Sequence, residues 1–240
     1  LLKMESDPDL PEAFYPPIHP DYDAEEEGDE WEGRSSTADL FYGMPVVPYE
    51  TRFPNLDILP AAGEQLQAVE LVRSEEVKSK IYEQIRLFLD DPDLQSLYDM
   101  VIIDTPPGKG AINRSVLRAS THVLLPVVPE EKPVQGLRSM IQFIRQENRY
   151  RETQLSILGV VPNKVDSRYR IHYTNIEQLR QDPLVRQYLT DFVISQRAAF
   201  PNVDAPQANP DTVWAFSGND KAKEEALALC HFVEKQLYGT

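Results

Sequence analysis

The stretch Tyr98-Asp-Met-Val-Ile-Ile-Asp104-Thr-Pro-Pro-Gly108 carries the pattern from which the fold of this chain is inferred. Its four consecutive apolar residues, Met100 to Ile103, are typical of a strand buried on both faces of a parallel sheet. The strand is predicted to end at the carboxylate of Asp104, at the edge where open α/β sheets bind their ligands. A carboxylate there can hold the hydration shell of Mg²⁺ or orient an attacking water. The stretch therefore favours a phosphate site over a strand that merely ends in an acid.

Strand and helix patterns alternate along the rest of the chain. Buried strands are predicted at 123–128 and 155–161, and short strands at 56–60 and 192–194. Helices are predicted as a pair within 64–90, the second capped by Ser74, and at 36–43, 112–119, 133–148 and 221–237. A further helical segment is predicted at 173–189, interrupted near Pro183, and a Pro-rich loop at 201–210. This alternation indicates an α/β fold in which a mostly parallel sheet lies between two layers of helices.

The composition is that of a globular protein. Its 240 residues suffice for one large domain or two small ones, and 41% of them are hydrophobic and 26% charged. No run approaches the length of a membrane-spanning helix and no signal peptide opens the chain, so no membrane partner is expected. The single cysteine, Cys230, excludes an internal disulfide framework and is predicted to be a buried thiol within a helix. The histidines show no metal-ligand spacing, so a zinc site is not expected.

Charge is distributed unevenly along the chain. Residues 1–33 hold twelve acids and one lysine, a net charge of -11, whereas residues 132–197 hold eleven basic and six acidic residues, a net charge of +5. This asymmetry permits a moderately basic surface, although a mixed, solvated surface explains it equally well. Residues 8–33 are rich in Pro, Asp and Glu and are predicted to be extended or mobile, outside the core. The predicted organisation is an acidic, Pro-rich segment at 1–34 followed by one domain at 35–240.

Seven short motifs follow one another in a characteristic order. They are Leu59-Pro60-Ala61, the stretch from Tyr98 to Gly108, Leu125-Pro-Val-Val-Pro-Glu130, Gln135-Gly-Leu137, Ile157-Leu-Gly-Val-Val161, Ile194-Ser-Gln-Arg197 and Ala205-Pro206. In this order they resemble the ParA/MinD family of deviant Walker-box ATPases, and within it the ParA branch that partitions plasmids and cargo. The resemblance implies a three-layer α/β domain of the P-loop NTPase type, in its SIMIBI, ParA/MinD-like form.

The family's Gly-rich phosphate loop has no counterpart in this sequence. No G-x-x-x-x-G-K-[ST] pattern or near relative of it occurs. The first residues, Leu1-Leu-Lys-Met-Glu5-Ser-Asp7-Pro8, resemble the family's next motif, a strand ending in Asp-x-Asp-Pro, with Asp7 as the second acid. On this interpretation the sequence starts just after the phosphate loop, as a shortened or degenerate relative would. The alternative, that Asp7 and Pro8 belong only to the acidic segment, is equally supported.

The resemblance implies roles for the residues around Asp104. Asp104 corresponds to the Walker B acid, which binds a Mg²⁺-coordinated water and helps to orient the hydrolytic water, and Asp7 corresponds to a further catalytic acid. Pro106, Pro107 and Gly108 correspond to the switch that senses the γ-phosphate. The expected cofactors are therefore ATP and Mg²⁺, and the expected reaction of the complete protein is ATP hydrolysis.

The segment Asn163-Lys-Val-Asp166 permits two interpretations. It matches the Asn-Lys-x-Asp motif with which GTPases read guanine through the aspartate. In the ParA group, an Asn at this place commonly contacts adenine, and Asp104-Thr-Pro-Pro-Gly is one residue longer than the DxxG switch of GTPases. Adenine is therefore favoured, with Asn163 and Asp166 beside the base and Pro206 in the loop that packs over it.

The resemblance also implies a function in the cytoplasm. An ATP-bound homodimer would bind DNA of the nucleoid nonspecifically and position or segregate a plasmid or a large cargo, until an adaptor or centromere-binding protein stimulates hydrolysis. The expected phosphate contacts are Arg168, Arg170, Arg180, Arg186, Arg197, Lys221 and Lys223. Two alternatives stay open: a non-hydrolysing interaction protein with the same fold, favoured by the missing phosphate loop, and a GTPase, based on Asn163 to Asp166.

Overall fold

The computed structural model describes residues 16–23, 25, 31–205, 208, 212–215, 217–218 and 220–239. The contacts divide the chain into two compact units, Leu2–Ser120 and Thr121–Thr240, which are called the first and the second unit below. Asp7 and Pro206, to which the sequence assigns roles, lie outside the described residues, so those two predictions stay predictions.

The described part of the first unit is mainly helical. Its elements are α1 (Asp39–Tyr42), β1 (Tyr49–Glu50), β2 (Asp57–Ile58), α2 (Gly63–Glu70), α3 (Glu75–Leu89), α4 (Pro92–Leu97) and α5 (Ala111–Ala119). The predicted helix pair within 64–90 is confirmed, and the Ser74 side chain caps its second member by accepting a hydrogen bond from the Val77 N–H. The strands β1 and β2 form a short antiparallel ladder.

The core of the first unit lies between α3 and α5. Ile81 and Ile85 are one helical turn apart on α3, and Ile112 and Val116 are one turn apart on α5, so each pair occupies one face of its helix. Val69 of α2 joins the same cluster. The loop that follows Asp104 therefore leads into a helix that is fixed by packing.

The predicted strand at Met100–Ile103 is wrong for the structure of this unit. Met100, Val101 and Ile102 are exposed by 41%, 51% and 85%. The described residues of the first unit place no strand beside this stretch, and its backbone belongs to no ladder. An apolar run becomes a buried strand only when neighbouring strands satisfy its backbone and cover its faces.

The acidic segment also differs from the prediction in its described part. Trp31 and His19 are buried, with exposures of 6% and 4%, and the His19 ring lies between Trp31 and Tyr49 at centroid distances of 5.5 and 4.8 Å. The Trp31 Nε1–H donates to the Arg34 carbonyl at 2.8 Å, and the Tyr49 hydroxyl donates to the Pro17 carbonyl at 2.9 Å. These aromatic side chains bind part of an otherwise acidic, Pro-rich segment to the unit.

The second unit contains the parallel pairing that the sequence predicts. Its elements are β3 (His122–Val127), α6 (Glu131–Glu147), a 3₁₀ turn (Asn148–Tyr150), β4 (Ser156–Pro162), α7 (Arg170–Gln181), α8 (Ala199–Asp204) and α9 (Asp220–Tyr238). The strands β3 and β4 pair in parallel and are joined through α6, as in a βαβ unit. A core of Val127, Leu137, Ile141, Val160 and Leu179 lies between these elements.

Several boundaries in the second unit differ from the predictions. The short strand at 192–194 is replaced by two isolated parallel bridges, Val160 to Leu189 and Val165 to Ser195. The helical segment predicted at 173–189 begins at Arg170, and its helix ends at Gln181, close to the interruption predicted near Pro183. The Pro-rich loop predicted at 201–210 is helical over 201–204, within the helix Ala199–Asp204. Cys230 is exposed on α9, which corrects the prediction of a buried thiol, because a helical pattern does not show which face is covered.

The described residues were also compared with the requirements of a membrane-spanning helix and of a metal site. Within them, no helix is both long enough and apolar enough to cross a lipid bilayer. The same residues contain no group of three His, Cys, Asp or Glu side chains that could hold a metal ion.

Candidate functional site

The loop at 105–110 joins the exposed Asp104 to α5. The Asp104 carboxylate has no hydrogen-bond or ion-pair partner among the described residues. Gly108 has a φ of 137°, a conformation that side-chain-bearing residues rarely adopt. The buried Asn113 of α5 donates a hydrogen bond from its Nδ2 to the Pro106 carbonyl at 3.0 Å. The loop thus follows an exposed carboxylate and is hydrogen-bonded to the helix that comes after it.

A second tie to this loop comes from Glu70 at the end of α2. Its Oε2 accepts a hydrogen bond from the Ala111 N–H at 2.9 Å, and its Oε1 accepts one from the Ile112 N–H at 3.0 Å. These two N–H groups belong to the first turn of α5, where backbone donors lack partners within the helix. Sequence reasoning missed Glu70, because no motif marks a contact between residues that are 41 positions apart.

The segment at 163–168 lies at the end of β4. The Asn163 N–H donates to the Val127 carbonyl at 2.8 Å and thus continues the pairing of the two strands. The Asn163 Oδ1 accepts a hydrogen bond from the Lys164 N–H at 2.8 Å, and Lys164 has a φ of 53°. A positive φ in a lysine is uncommon and marks a tight local bend. Asn163 is half-buried, and its Nδ2 has no partner among the described residues.

Asp166 is bound by its own neighbour. The Arg168 Nε donates to both Asp166 carboxylate oxygens at 3.0 and 3.1 Å, and its Nη2 donates to Oδ2 at 2.6 Å. The hydrogen bonds from the Arg168 guanidinium, followed by that from the Arg168 N–H, lower the pKa of Asp166 to about 2. Because the carboxylate is engaged in this way, it does not present a free acceptor to a guanine edge.

The residues predicted to contact DNA fall into two groups, those that form an ion pair within the protein and those that do not. Arg168 pairs with Asp166, and Arg197 donates from its Nε and Nη2 to Glu225 at 3.1 and 2.6 Å. Arg180 forms an exposed pair with Glu177 within α7. The second group consists of the predicted residues that have no ion-pair partner among the described residues, namely Arg170, Arg186, Lys221 and Lys223.

The Arg197 pair also fixes the terminal helix. Glu225 of α9 accepts hydrogen bonds from the Ser195 N–H at 2.9 Å and from the Ser195 hydroxyl at 2.8 Å, as well as from Arg197. Burial raises the pKa of Glu225, but the hydrogen bonds from Arg197 and Ser195 outweigh that effect, so the pKa lies below its ordinary value. The observed role of Arg197 is therefore to hold α9 against the bridge at Ser195.

Comparison with known proteins identifies relatives of this chain. A family model described as an AAA domain matches residues 44–157. The sporulation initiation inhibitor protein Soj of Bacillus subtilis is 30% identical over 131 residues, which are 55% of this chain and 50% of Soj. Protein IncC of Escherichia coli is 33% identical over 187 residues, which are 72% of this chain and 49% of IncC. The chain belongs to the ParA/MinD family.

Solved structures agree with this assignment at the level of the fold. The ATP complex of McdA from Cyanothece has a TM-score of 0.68 to this ParA/MinD-family chain, at 16% identity, over 82% of this chain and 75% of that one. The predicted α/β fold of the P-loop NTPase type is thereby confirmed. The chain spans about half the length of the curated relatives it matches.

Proposed function

We propose that this ParA/MinD-family protein is an ATPase that positions or segregates a plasmid or a large cytoplasmic cargo, through ATP-dependent dimerisation and nonspecific DNA binding. The observation that carries the proposal is the loop from Asp104 to Gly110, in which an available carboxylate precedes a turn tied to a helix N-terminus. The relatedness to Soj and IncC and the fold shared with an ATP complex of McdA support it.

The proposed catalytic role belongs to Asp104. Its exposed carboxylate, with no partner among the described residues, fits the binding of Mg²⁺-coordinated waters and the orientation of an attacking water. Bound Mg²⁺ would neutralise charge on the phosphate oxygens. Pro106, Pro107 and Gly108 would respond to the γ-phosphate through the Asn113 contact to the Pro106 carbonyl.

The proposed base is adenine. Asn163 has an Nδ2 that can donate to an acceptor on the base, whereas the Asp166 carboxylate is engaged by Arg168. Equilibrium binding of ATP and GTP in the presence of Mg²⁺ tests this choice, and we expect ATP to bind more tightly. Tighter binding of GTP, lost in Asp166→Ala, would contradict the proposal and favour the GTPase.

The proposed DNA contacts are those predicted basic residues of the second unit that have no ion-pair partner among the described residues, namely Arg170, Arg186, Lys221 and Lys223. We expect the double variant Arg170→Gln and Arg186→Gln to bind any duplex more weakly, with the slope of log K against log salt reduced by about two. The measurement is fluorescence anisotropy on two unrelated duplexes with ATP at several salt concentrations. The matched control, Arg73→Gln with Lys80→Gln, removes the same charge from the first unit and should leave the slope unchanged.

Two results of this experiment would contradict the DNA proposal. A strong preference for one duplex would point to base reading, which phosphate contacts do not provide. An equal loss in the control variant would indicate a general effect of net charge. Arg168→Gln is expected to disturb the 163–168 segment through Asp166 and is therefore a poorer probe of DNA contact.

A further inference from the structure

The loop after Asp104 is held at its far end by a side chain from another helix. Glu70 ends α2, and both of its carboxylate oxygens accept hydrogen bonds from the first turn of α5. A carboxylate at this end of a helix is stabilised both by the free N–H donors and by the helix dipole. The contact joins two helices of the first unit immediately beyond Gly110.

Gly110 is the residue that makes room for this contact. A Cβ atom built on Gly110 would lie 2.0 Å from Glu70 Oε2 and 2.5 Å from its Cδ. These distances are far below any permitted contact, so every other residue at position 110 would displace the Glu70 carboxylate. By contrast, a Cβ on Gly63 at the start of α2 would meet nothing within 4 Å.

We propose that Glu70 is a positioning residue, whose carboxylate holds the first turn of α5 and thereby fixes the loop that carries Asp104, with Gly110 as the residue that admits it. The inference rests on the proposed ATPase function for its catalytic consequence. A separate hydrogen bond, from Asn113 Nδ2 to the Pro106 carbonyl, acts on the near end of the loop. Release of Glu70 would therefore loosen the junction between the loop and the first turn of α5, while Ile112 and Val116 keep α5 packed.

The first experiment measures the contact itself. In Glu70→Gln the side-chain amide retains one acceptor but points an NH₂ donor at a backbone N–H donor, so one hydrogen bond and the charge are lost. We expect amide hydrogen exchange at Ala111 and Ile112 to accelerate about tenfold or more. The control is Glu64→Gln on the same helix, because Glu64 has no partner among the described residues, and exchange at both amides should be unchanged.

The second experiment measures the catalytic consequence. If Glu70 fixes the loop, Glu70→Gln should lower kcat for ATP about tenfold while KM changes less than about twofold, because positioning acts on the reacting water more than on nucleotide binding. A merely structural role would lower thermal stability without separating kcat from KM. The thermal midpoint of each variant is therefore measured alongside.

The third experiment uses Gly110 to show that both residues act through one contact. Gly110→Ala should reproduce the exchange and kcat changes of Glu70→Gln, whereas Gly63→Ala should reproduce neither. In the double variant Glu70→Gln with Gly110→Ala, the losses should not add, since both substitutions remove the same interaction. Fully additive losses would mean that the two residues act separately and would overturn the proposal.

The remaining outcomes are equally decisive. Unchanged exchange in Glu70→Gln would show that the contact does not hold the helix end and would overturn the proposal. Faster exchange with unchanged kcat and KM would reduce Glu70 to a helix cap and would also overturn it. If the unaltered protein binds and hydrolyses no ATP, the proposed function itself fails, and with it the positioning role. That failure appears in the parent protein, whereas failure of the inference alone appears as differences between variants.

Discussion

In two stretches of the first unit, the observed burial of the side chains is the opposite of the burial that the sequence predicts. The acidic segment around His19 and Trp31 looks solvated, yet both of these side chains are buried. The stretch from Met100 to Ile102 looks like the centre of a core, yet its side chains are exposed, Ile102 by 85%. Burial therefore follows the available partners, since the His19 ring packs against both Trp31 and Tyr49 in an aromatic cluster. No strand lies beside 100–102 among the described residues of the first unit.

The comparison separates residues that stabilise the unit from residues that remain free to act. Trp31 combines ring contacts with a hydrogen bond to the Arg34 carbonyl, so its removal should affect folding. Asp104 follows an exposed stretch and has no partner among the described residues, so its removal should affect function alone. Exposure thus predicts which measurement each substitution will change.

The largest expected effect is on stability at Trp31. Trp31→Ala should lower the free energy of unfolding by about 3–5 kcal/mol, because it removes a buried indole and leaves a cavity. Urea denaturation measures the change. The matched control is Trp214→Ala, the same substitution at the other tryptophan, which is 48% exposed and should cost much less. Equal losses at the two positions would show that the aromatic cluster around Trp31 contributes no specific stability.

The next effect is on turnover at Asp104. Asp104→Ala should reduce ATP hydrolysis about 100-fold, since a positioned catalytic base or metal-water ligand contributes roughly that much. Its free energy of unfolding should change by less than about 0.5 kcal/mol, as for an exposed surface residue. Asp99→Ala, a few residues earlier and also exposed, is the control and should retain turnover. Turnover of Asp104→Ala within a few-fold of the parent would remove Asp104 from the proposed mechanism.

A smaller effect is expected at Tyr98, whose side chain attaches the start of the exposed stretch to Asp57 of β2. The Tyr98 hydroxyl donates to Asp57 Oδ2 at 2.5 Å, and Tyr98→Phe should cost about 1 kcal/mol of stability at neutral pH. Burial, together with this hydrogen bond to Asp57, raises the pKa of Tyr98 to about 12. The group is protonated in its stabilising form, so its contribution is complete below pH 10 and is lost as the pH rises towards 12.

The pH dependence checks the sign of the Tyr98 effect. Urea denaturation between pH 8 and 12 should show a shallower loss of stability in Tyr98→Phe than in the parent protein. Tyr173→Phe is the control, because Tyr173 is 51% exposed and has no hydrogen bond among the described residues. Parallel curves for Tyr98→Phe and the parent would show that the contact with Asp57 does not stabilise the fold.

The smallest expected effect is at Ile102. Ile102→Ala should change the free energy of unfolding by less than about 0.5 kcal/mol, since little apolar surface is buried there. The same substitution at Ile85, which is 7% exposed between α3 and α5, should cost about 2–5 kcal/mol. A comparable cost at Ile102 in urea denaturation would show that a partner covers the stretch in solution and would restore the predicted buried strand.

The local elements and the family can be predicted from neighbouring residues and from the order of motifs along the chain. Periodic apolar residues and capping signals predicted the helix pair within 64–90, the terminal helix, and the strands β3 and β4, because these features depend on neighbours along the chain. The ordered motifs from Leu59 to Arg197 predicted the ParA/MinD family, since motif order survives where overall identity is low. Asp104 was predicted as the acid before a loop and helix from the same local pattern.

The three-dimensional structure, in contrast, decided which of these residues have partners. Glu70 reaches Ala111 across 41 positions, Arg197 pairs with Glu225 of α9, and Arg168 folds back onto Asp166. It also decided that Met100 to Ile102 are exposed and that Trp31 is buried. The physical reason is that hydrogen bonds and burial depend on distances in space, which apolar periodicity and charge counts along the chain do not encode.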